Sequence, residues 1–245
     1  MRDDLLAARA SVDWAVAQLP AFQSRLDAWL KGNIDVVVKE LPAPAPTDVI
    51  LAREKESLPL AFQVEAGAYI NTIRSSLDIL AATLAQRHCP ALVGDCYFPI
   101  VSSAEIFATE RYKGHKLIRS LPAAERATFE SLKPYKGGNH LLYALHLLDI
   151  VRKHRRLLTA EIHPAKLRIE GSSSTFRPVV HKGWMRSGDD ETVIAFLAKG
   201  APMPQIKLVM QVSINEPTYL EHQSITEALS EFANLANSII ARFAD

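Results

Sequence analysis

An arginine interrupts the apolar face of a predicted helix in the segment INTIRSSLDIL. At about 100° per residue, Ile70, Ile73 and Leu77 share one face of this helix. Arg74 falls about 40° from Ile70, inside that face, and Asp78 follows one turn later at its edge. Residues four apart on a helix are neighbours, so the two charges form a neutralising pair. A guanidinium in this position could hold a phosphate or a carboxylate.

A histidine takes a comparable position in a second predicted helix, which runs from Asn139 to Ala160. With Leu147 as the reference direction, His154 projects about 20° from the centre of the apolar face. The basic residues on either side of it point mostly to the opposite, solvated side. An inward imidazole could transfer a proton near neutral pH.

We expect these groups to meet, because a buried and unpaired guanidinium costs several kcal/mol. The candidate catalytic residues are therefore His154, Arg74 and Asp78, and the candidate ligand-binding residues are Arg155 and Tyr135. Two interpretations stay open. The cluster either fastens two helices in register, or it lines a cleft in which the histidine acts as acid or base and the arginine holds an anion.

The order of predicted helices and strands along the chain indicates that this cluster belongs to a single α+β domain, residues 1–245. Its core is a bundle of about four long helices packed with a small antiparallel sheet or hairpins. The predicted helices are residues 5–30, 58–88, 139–160 and 224–243, with a β-hairpin at 34–54 and a β region at 165–214. Pro20 should kink or split the first helix. The terminal helix needs apolar partners, which ties the two ends of the chain into one unit.

The segment from Cys89 to Lys136 has no clear period, apart from a short helix predicted between Pro122 and Leu132. It contains aromatic and basic residues that suit a partner surface: Tyr97, Phe98, Phe107, Arg111, Tyr112, Lys113, His115 and Lys116. Phe98 and Phe107 could equally fill the core. The two cysteines lack the spacing of a zinc site, so neither a metal nor another cofactor is predicted.

Composition excludes several kinds of partner. The 245 residues are 48% hydrophobic, which is enough for a sizeable core, and 28 Lys+Arg against 27 Asp+Glu give a net charge of +1. A global basic field for nucleic acid is therefore missing, and any such binding must be local. The sequence contains no apolar run long enough to span a membrane and no signal-peptide pattern, so we expect a cytoplasmic protein without a membrane partner.

Four short motifs resemble those of a family of uncharacterised bacterial and phage-borne proteins. They are R-x-x-L-D at Arg74–Asp78, F-P-I at Phe98–Ile100, P-Y at Pro134–Tyr135 and K-H-R at Lys153–Arg155. The family's elements are R-x-x-L-D-H, F-P-I, Q-P-Y and D-K-H-R, ahead of a β-rich C-terminal part. This chain departs from them at three positions: Ile79, Lys133 and Arg152 replace a histidine, a glutamine and an aspartate. The resemblance marks residues but implies no activity.

A second resemblance is to HEPN domains, helical bundles of which many are metal-independent ribonucleases with an R-x4-6-H motif. The segment from Arg156 to His163 has that spacing. Independently of this resemblance, metal-independent cleavage of RNA needs only a histidine and cations: His154 would move a proton while Arg74 and Arg155 stabilise the phosphorane. HEPN-like bundles often pair, so the resemblance is compatible with a homodimer, although no feature of the sequence demands one.

Motifs for nucleotide hydrolysis, dinucleotide redox chemistry, zinc proteolysis and serine esterase activity do not occur in the sequence. Ser75 and Ser76 are predicted to point away from the core face, which disfavours a serine nucleophile. We therefore favour a non-enzymatic binding or interaction protein of bacterial or mobile-element origin, with an RNA or a protein as partner. The alternative is an HEPN-like ribonuclease of toxin or defence type that uses His154 and Arg74.

Overall fold

Helices and antiparallel strands alternate in blocks along the chain. The computed structural model describes residues 2–109, 111–170, 176–179, 185–186, 190–216 and 220–244. The helices are α1 (Leu6–Asn33), α2 (Leu60–His88), α3 (Ala104–Ala108), α4 (His115–Ser120), α5 (Ala123–Ser131), α6 (His140–His154) and α7 (Ile225–Ala241). The strands are β1 (Ile34–Lys39), β2 (Thr47–Glu54), β3 (Ala160–Glu170), β4 (Phe176–Pro178), β5 (Met185–Arg186), β6 (Glu191–Ala198), β7 (Gln205–Glu216) and β8 (Leu220–Ser224). Within the described ranges, no helix has the length and apolar character to cross a membrane.

The chain divides into two compact units. The first comprises Met1–Phe22, Gln63–Thr159 and Ile214–Asp245, and the second comprises Gln23–Phe62 and Ala160–Ser213. Both ends of the chain lie in the first unit, which is mainly helical. One ion-pair network there joins them, because Arg87 near the end of α2 bonds Asp4 at 2.5 and 2.8 Å and the carbonyl of Phe243 at 3.3 Å.

The α+β class is confirmed, whereas a bundle of four long helices is not. The four predicted helices are present, but the short helices α3, α4 and α5 lie between α2 and α6. Pro20 does not split α1, because buried residues such as Leu19 and Phe22 continue the apolar stripe on both sides of it. The helix predicted to reach Ala160 ends at His154, and residues from Ala160 onward form β3 instead.

Helix α2 is buried around most of its circumference. The predicted core face is confirmed, since Ile70, Ile73 and Leu77 have no exposed surface. Ser76, which was expected to point outward, is also fully buried and donates a hydrogen bond to the carbonyl of Ile73 at 2.6 Å. The projection failed there because it assumed one solvated side, and this helix packs on more than one side.

The second unit contains the predicted hairpin. Strands β1 and β2 pair antiparallel with Val37 opposite Leu51, and the sheet order is β1–β2–β6–β4, with β5 also paired to β6. Strand β1 therefore forms one edge of this sheet among the described strands. The remaining sheet has the order β3–β7–β8. One face of the larger sheet is closed by an apolar cluster that includes Ile50 and Ile194.

Candidate functional site

Arg74 and Asp78 clamp the backbone of a loop. The Arg74 side chain, in a residue only 5% exposed, donates from Nη1 to Asp78 Oδ1 at 2.8 Å and from Nη2 to the Phe98 carbonyl at 3.1 Å. The amide of Phe98 donates to the same carboxylate oxygen at 2.9 Å. The predicted burial of Arg74 and its pairing with Asp78 are thus confirmed. Both polar groups of the Phe98 backbone are satisfied by this one ion pair, which we call the clamp.

The clamp connects the R-x-x-L-D motif to the F-P-I motif, and backbone hydrogen bonds connect the F-P-I segment to the P-Y motif. Phe98 itself is buried and packs on Phe129, with ring centroids 4.8 Å apart, so it fills the core rather than a partner surface. Three residues further on, the Val101 amide donates to the Pro134 carbonyl at 3.0 Å, and the Lys136 amide donates to the Val101 carbonyl at 3.3 Å. The R-x-x-L-D, F-P-I and P-Y elements therefore form one connected structure.

The loop held by the clamp packs against Gly114, which lines a pocket. Gly114 has a φ of +95°, and a Cβ there would lie 2.7 Å from Cβ of Pro99, closer than packed carbon atoms approach. Only glycine lets the turn before α4 close on the F-P-I element. The pocket beside this turn has a volume of about 330 Å³ and is lined by Leu92, Asp95, Cys96 and Arg111–Leu117.

The charge of the pocket lining is positive. Among the described residues of the lining, Arg111, Lys113 and Lys116 contribute three cations and Asp95 one carboxylate, an excess of two cations. Cys96 adds no thiolate, because burial raises the pKa of its thiol and the carboxylates of Asp78 and Asp95 raise that pKa further. The arrangement suits an anionic group and offers it no activated nucleophile.

Tyr135 lies at one end of a row of rings that reaches this pocket. The centroids of Tyr135 and Phe107 are 5.6 Å apart, those of Phe107 and Tyr112 are 5.7 Å apart, and those of Tyr112 and His115 are 5.5 Å apart. Burial and the nearby Glu130 raise the pKa of Tyr112 to about 12, so this phenol stays neutral. Tyr135 is half-buried and supports the row without lining the pocket.

The prediction that His154 turns inward beside Arg74 is wrong. His154 is the last residue of α6 and its side chain is exposed. The face that α6 buries includes Leu145, Leu148 and Asp149, whereas Leu147, the reference for the projection, is only half-buried. The helix is apolar nearly all round from Leu141 to Val151, so its sequence does not determine which side is buried.

The polar residue that α6 does bury is Asp149. Its carboxylate accepts a hydrogen bond from Asn71 Nδ2 of α2 at 3.1 Å and pairs with Lys153 Nζ at 2.6 Å. Arg152 adds a weaker contact at 3.6 Å, and its side chain packs where a Cβ on Gly67 would lie 2.7 Å from Cδ. Asp149 was missed, although it is the single acid in the apolar run from Leu141 to Val151.

His146 is close enough to the clamp for the charges of Arg74 and Asp78 to act on its pKa. Burial lowers its pKa to about 4, and the positive charge of Arg74 contributes to the same shift against Asp149 and Asp78, which raise the pKa. This histidine is therefore neutral at physiological pH. It lies two turns before His154, or about 12 Å along the helix axis.

The remaining predicted residues follow the end of α6 along the chain. Arg155 is exposed and follows the end of α6. Arg156, the arginine of the HEPN-like spacing, forms a bidentate pair with Glu216 at 2.8 and 2.9 Å. Burial raises the pKa of Glu216, but Arg156 and the Thr159 amide outweigh it and hold that pKa below its usual value. His163 lies on β3, in the second unit, and its Nε2 is 2.6 Å from the hydroxyl oxygen of Ser213.

Comparisons with known proteins add no constraint on this site. No family model, no curated protein and no solved structure matches the chain. The function must therefore be argued from the residues and their geometry.

Proposed function

We propose that the protein is a non-enzymatic binding protein whose pocket takes an anionic group of its partner, with the phosphates of single-stranded RNA as the preferred group. The observation that carries this proposal is the positive lining of the pocket, in which, among the described lining residues, Arg111, Lys113 and Lys116 outnumber the one carboxylate, that of Asp95. A cavity of about 330 Å³ is within the size range of small-ligand sites.

An aromatic side chain beside the pocket favours RNA over a simple anion. Tyr97 is 49% exposed, and the Lys113 ammonium lies 5.2 Å from the centre of its ring. Exposed aromatic rings stack on unpaired bases, and adjacent cations contact the phosphates between them. The neighbouring lysine thus supports both kinds of contact at one place.

The geometry favours binding over catalysis because Arg74 is already hydrogen-bonded within the clamp and His154 is exposed at the end of α6. Two donors of Arg74 are committed to Asp78 and to the Phe98 carbonyl, so the clamp explains why this arginine is buried. His154 is exposed at the far end of α6. An architectural role for Arg74 needs no rearrangement, whereas phosphorane stabilisation would require the clamp to open.

The experiment is a binding titration with fluorescein-labelled single-stranded RNA, monitored by fluorescence anisotropy at several salt concentrations. The double variant Arg111→Glu/Lys113→Glu should weaken binding at least tenfold. If both residues contact phosphates, it should also reduce the slope of log K against log salt by about 1.4.

The matched control is Lys166→Glu/Arg168→Glu, two exposed basic residues with the same spacing on β3. This control should bind as the wild type does. Equal weakening in both double variants would show a nonspecific charge effect and contradict the pocket. A labelled poly-glutamate peptide and inorganic phosphate are further probes, and binding to either without RNA binding would contradict RNA as the preferred partner. Cleavage of the RNA that His154→Ala abolishes would contradict a binding role and support the ribonuclease.

A further inference from the structure

The edge strand β1 carries a self-complementary sequence. Its six residues are Ile-Asp-Val-Val-Val-Lys, without proline, and among the described strands it pairs only with β2. Val36 and Val38 are 36% and 41% exposed, although both belong to a strand. Sheet edges of this kind, with apolar side chains and unpaired backbone groups, are templates for pairing with another chain.

Alternate residues of β1 form backbone hydrogen bonds to β2, and the residues between them direct their backbone groups outward; we call this alternation the parity of the strand. The Lys55 amide donates to the Asn33 carbonyl at 2.9 Å, and the Glu54 amide donates away from β1, to Asp190 at 2.8 Å. Antiparallel pairs alternate between bonded and non-bonded positions. Asp35, Val37 and Lys39 therefore bond β2 with their backbone groups, because they continue the alternation from residue 33. The amides and carbonyls of Val36 and Val38 point to the open edge.

This parity allows only some registers for two copies of β1 that pair antiparallel across a two-fold axis. When Val37 lies on the axis, Val36 of one copy faces Val38 of the other. Their outward groups then exchange both hydrogen bonds on each side of the axis. Shifting the register by one residue would oppose outward groups to groups already bonded to β2, and no ladder would form.

The charges select this register from the others of the same parity. With Val37 on the axis, Asp35 of each copy lies opposite Lys39 of the other, which gives two reciprocal ion pairs on one face of the ladder. Moving the axis to Val36 or Val38 places Asp35 opposite an apolar residue and loses both pairs. Within one chain these side chains make exposed pairs, Asp35 with Lys55 at 3.0 Å and Lys39 with Glu191 at 3.4 Å. Exposed pairs of this kind rearrange at small cost.

We propose that β1 is the contact surface for a second copy of this chain, paired antiparallel about Val37. The opposite face of the ladder would carry the four exposed valines, two from each copy. Next to them lies a groove of about 430 Å³ whose lining is mostly apolar, with Ile34, Val36, Leu208 and Val209, and which also contains Asp27 and Lys31. This surface extends the contact beyond the strand itself. The proposal is independent of the anion pocket, which lies in the first unit.

The test is sedimentation velocity of the full chain over a wide concentration range, with two charge variants. Wild type should dimerise reversibly. Asp35→Lys places two lysines opposite each other, and Lys39→Glu places a glutamate opposite Asp35, so each variant alone should raise the dimer dissociation constant at least tenfold. An equimolar mixture should regain a dimer, because both cross-strand pairs are then of opposite sign. Loss of folding cannot produce this recovery. Wild type that stays monomeric, or a mixture that fails to associate, would overturn the proposal.

A backbone variant tests the parity without changing charge. Val36→Pro removes an outward amide and leaves the bonds to β2 intact, so it should prevent dimerisation while circular dichroism stays unchanged. The matched variant Val37→Pro removes an inward amide and should lower the melting temperature instead. Undiminished dimerisation of a folded Val36→Pro protein would overturn pairing through this edge and indicate a different interface.

Discussion

Helices α2 and α6 each bring charge into the interior of the first unit as an ion pair between residues four apart, but the two pairs have different further partners. On α2, Arg74 and Asp78 bond a loop that lies 20 to 24 residues further along the chain. On α6, Asp149 is balanced chiefly by Lys153, one turn away on its own helix, and by a neutral amide from α2. The charges of α2 therefore fix the position of another segment, whereas those of α6 mainly neutralise one another. We expect α2 to be the more sensitive of the two.

The largest effect should come from Asp78→Ala. It leaves the buried Arg74 guanidinium with only a carbonyl partner. Because the Asp78 side chain is itself 31% exposed, we expect a loss at the lower end of the range for a buried pair, about 3 kcal/mol of unfolding free energy. The double variant Arg74→Met/Asp78→Ala removes both charges and should recover part of this loss. Urea unfolding measures both. A loss below about 1 kcal/mol in the single variant would mean that the clamp does not hold the loop.

His146 should make the first unit sensitive to acid. Its pKa in the folded chain, about 4, lies below the ordinary value of 6.5. Between these two pH values the imidazole is therefore protonated in the unfolded chain and neutral in the folded chain. Stability is therefore complete above pH 6.5 and falls as the pH drops toward 4, by up to about 3 kcal/mol. His146→Gln should flatten this part of the curve. Unfolding measured at intervals between these pH values checks it, and an unchanged slope in the variant would exclude His146 as the cause.

Asp149→Ala should cost less than the clamp variant, about 2 kcal/mol, because it unpairs Asn71 and Lys153 without leaving a fully buried charge. Lys153 is partly exposed and can turn to solvent. The matched variant Lys153→Ala should cost less than about 1 kcal/mol for the same reason. If Asp149→Ala destabilised the protein more than Asp78→Ala, the proposed ranking of the two helices would be reversed.

The smallest effect belongs to His154→Ala. An exposed residue at a helix end, with no contact to the clamp, should change stability by less than about 0.5 kcal/mol. RNA affinity should also stay the same, as measured by the anisotropy titration. A large loss of either quantity would restore His154 as a site residue.

The sequence prediction for Arg74 on α2 was correct, although the burial of Ser76 shows that this helix is buried on more than one side. Ile70, Ile73 and Leu77 mark the face on which Arg74 lies, and the neighbouring Asp78 is close enough along the helix to be named as its partner. The valine-rich runs of the hairpin were similarly clear. In α6, the run from Leu141 to Val151 has a leucine on almost every side, so the projection had no polar side from which to fix the buried direction.

Other parts of the site could not be obtained from periodicity at all. Phe98 contacts the clamp through its backbone, and backbone contacts leave no trace in residue type. The pocket depends on the left-handed turn at Gly114, which packs on Pro99 only after the loop has been placed. The sequence predicts that the basic residues of this segment suit a partner surface, but their arrangement around a cavity is a property of the folded loop.

The claim that the clamp positions an anion pocket through Pro99 and Gly114 is tested most directly by the RNA affinities of Gly114→Ala and Gly137→Ala. Both glycines have a left-handed φ, +95° and +84°, so both substitutions strain the backbone. Of these two glycines, only Gly114 has a neighbour within 4 Å, among the described residues, that an added methyl group would displace. We expect Gly114→Ala to weaken RNA binding at least fivefold and Gly137→Ala to bind RNA as the wild type does. Equal affinities in the two variants would contradict the claim.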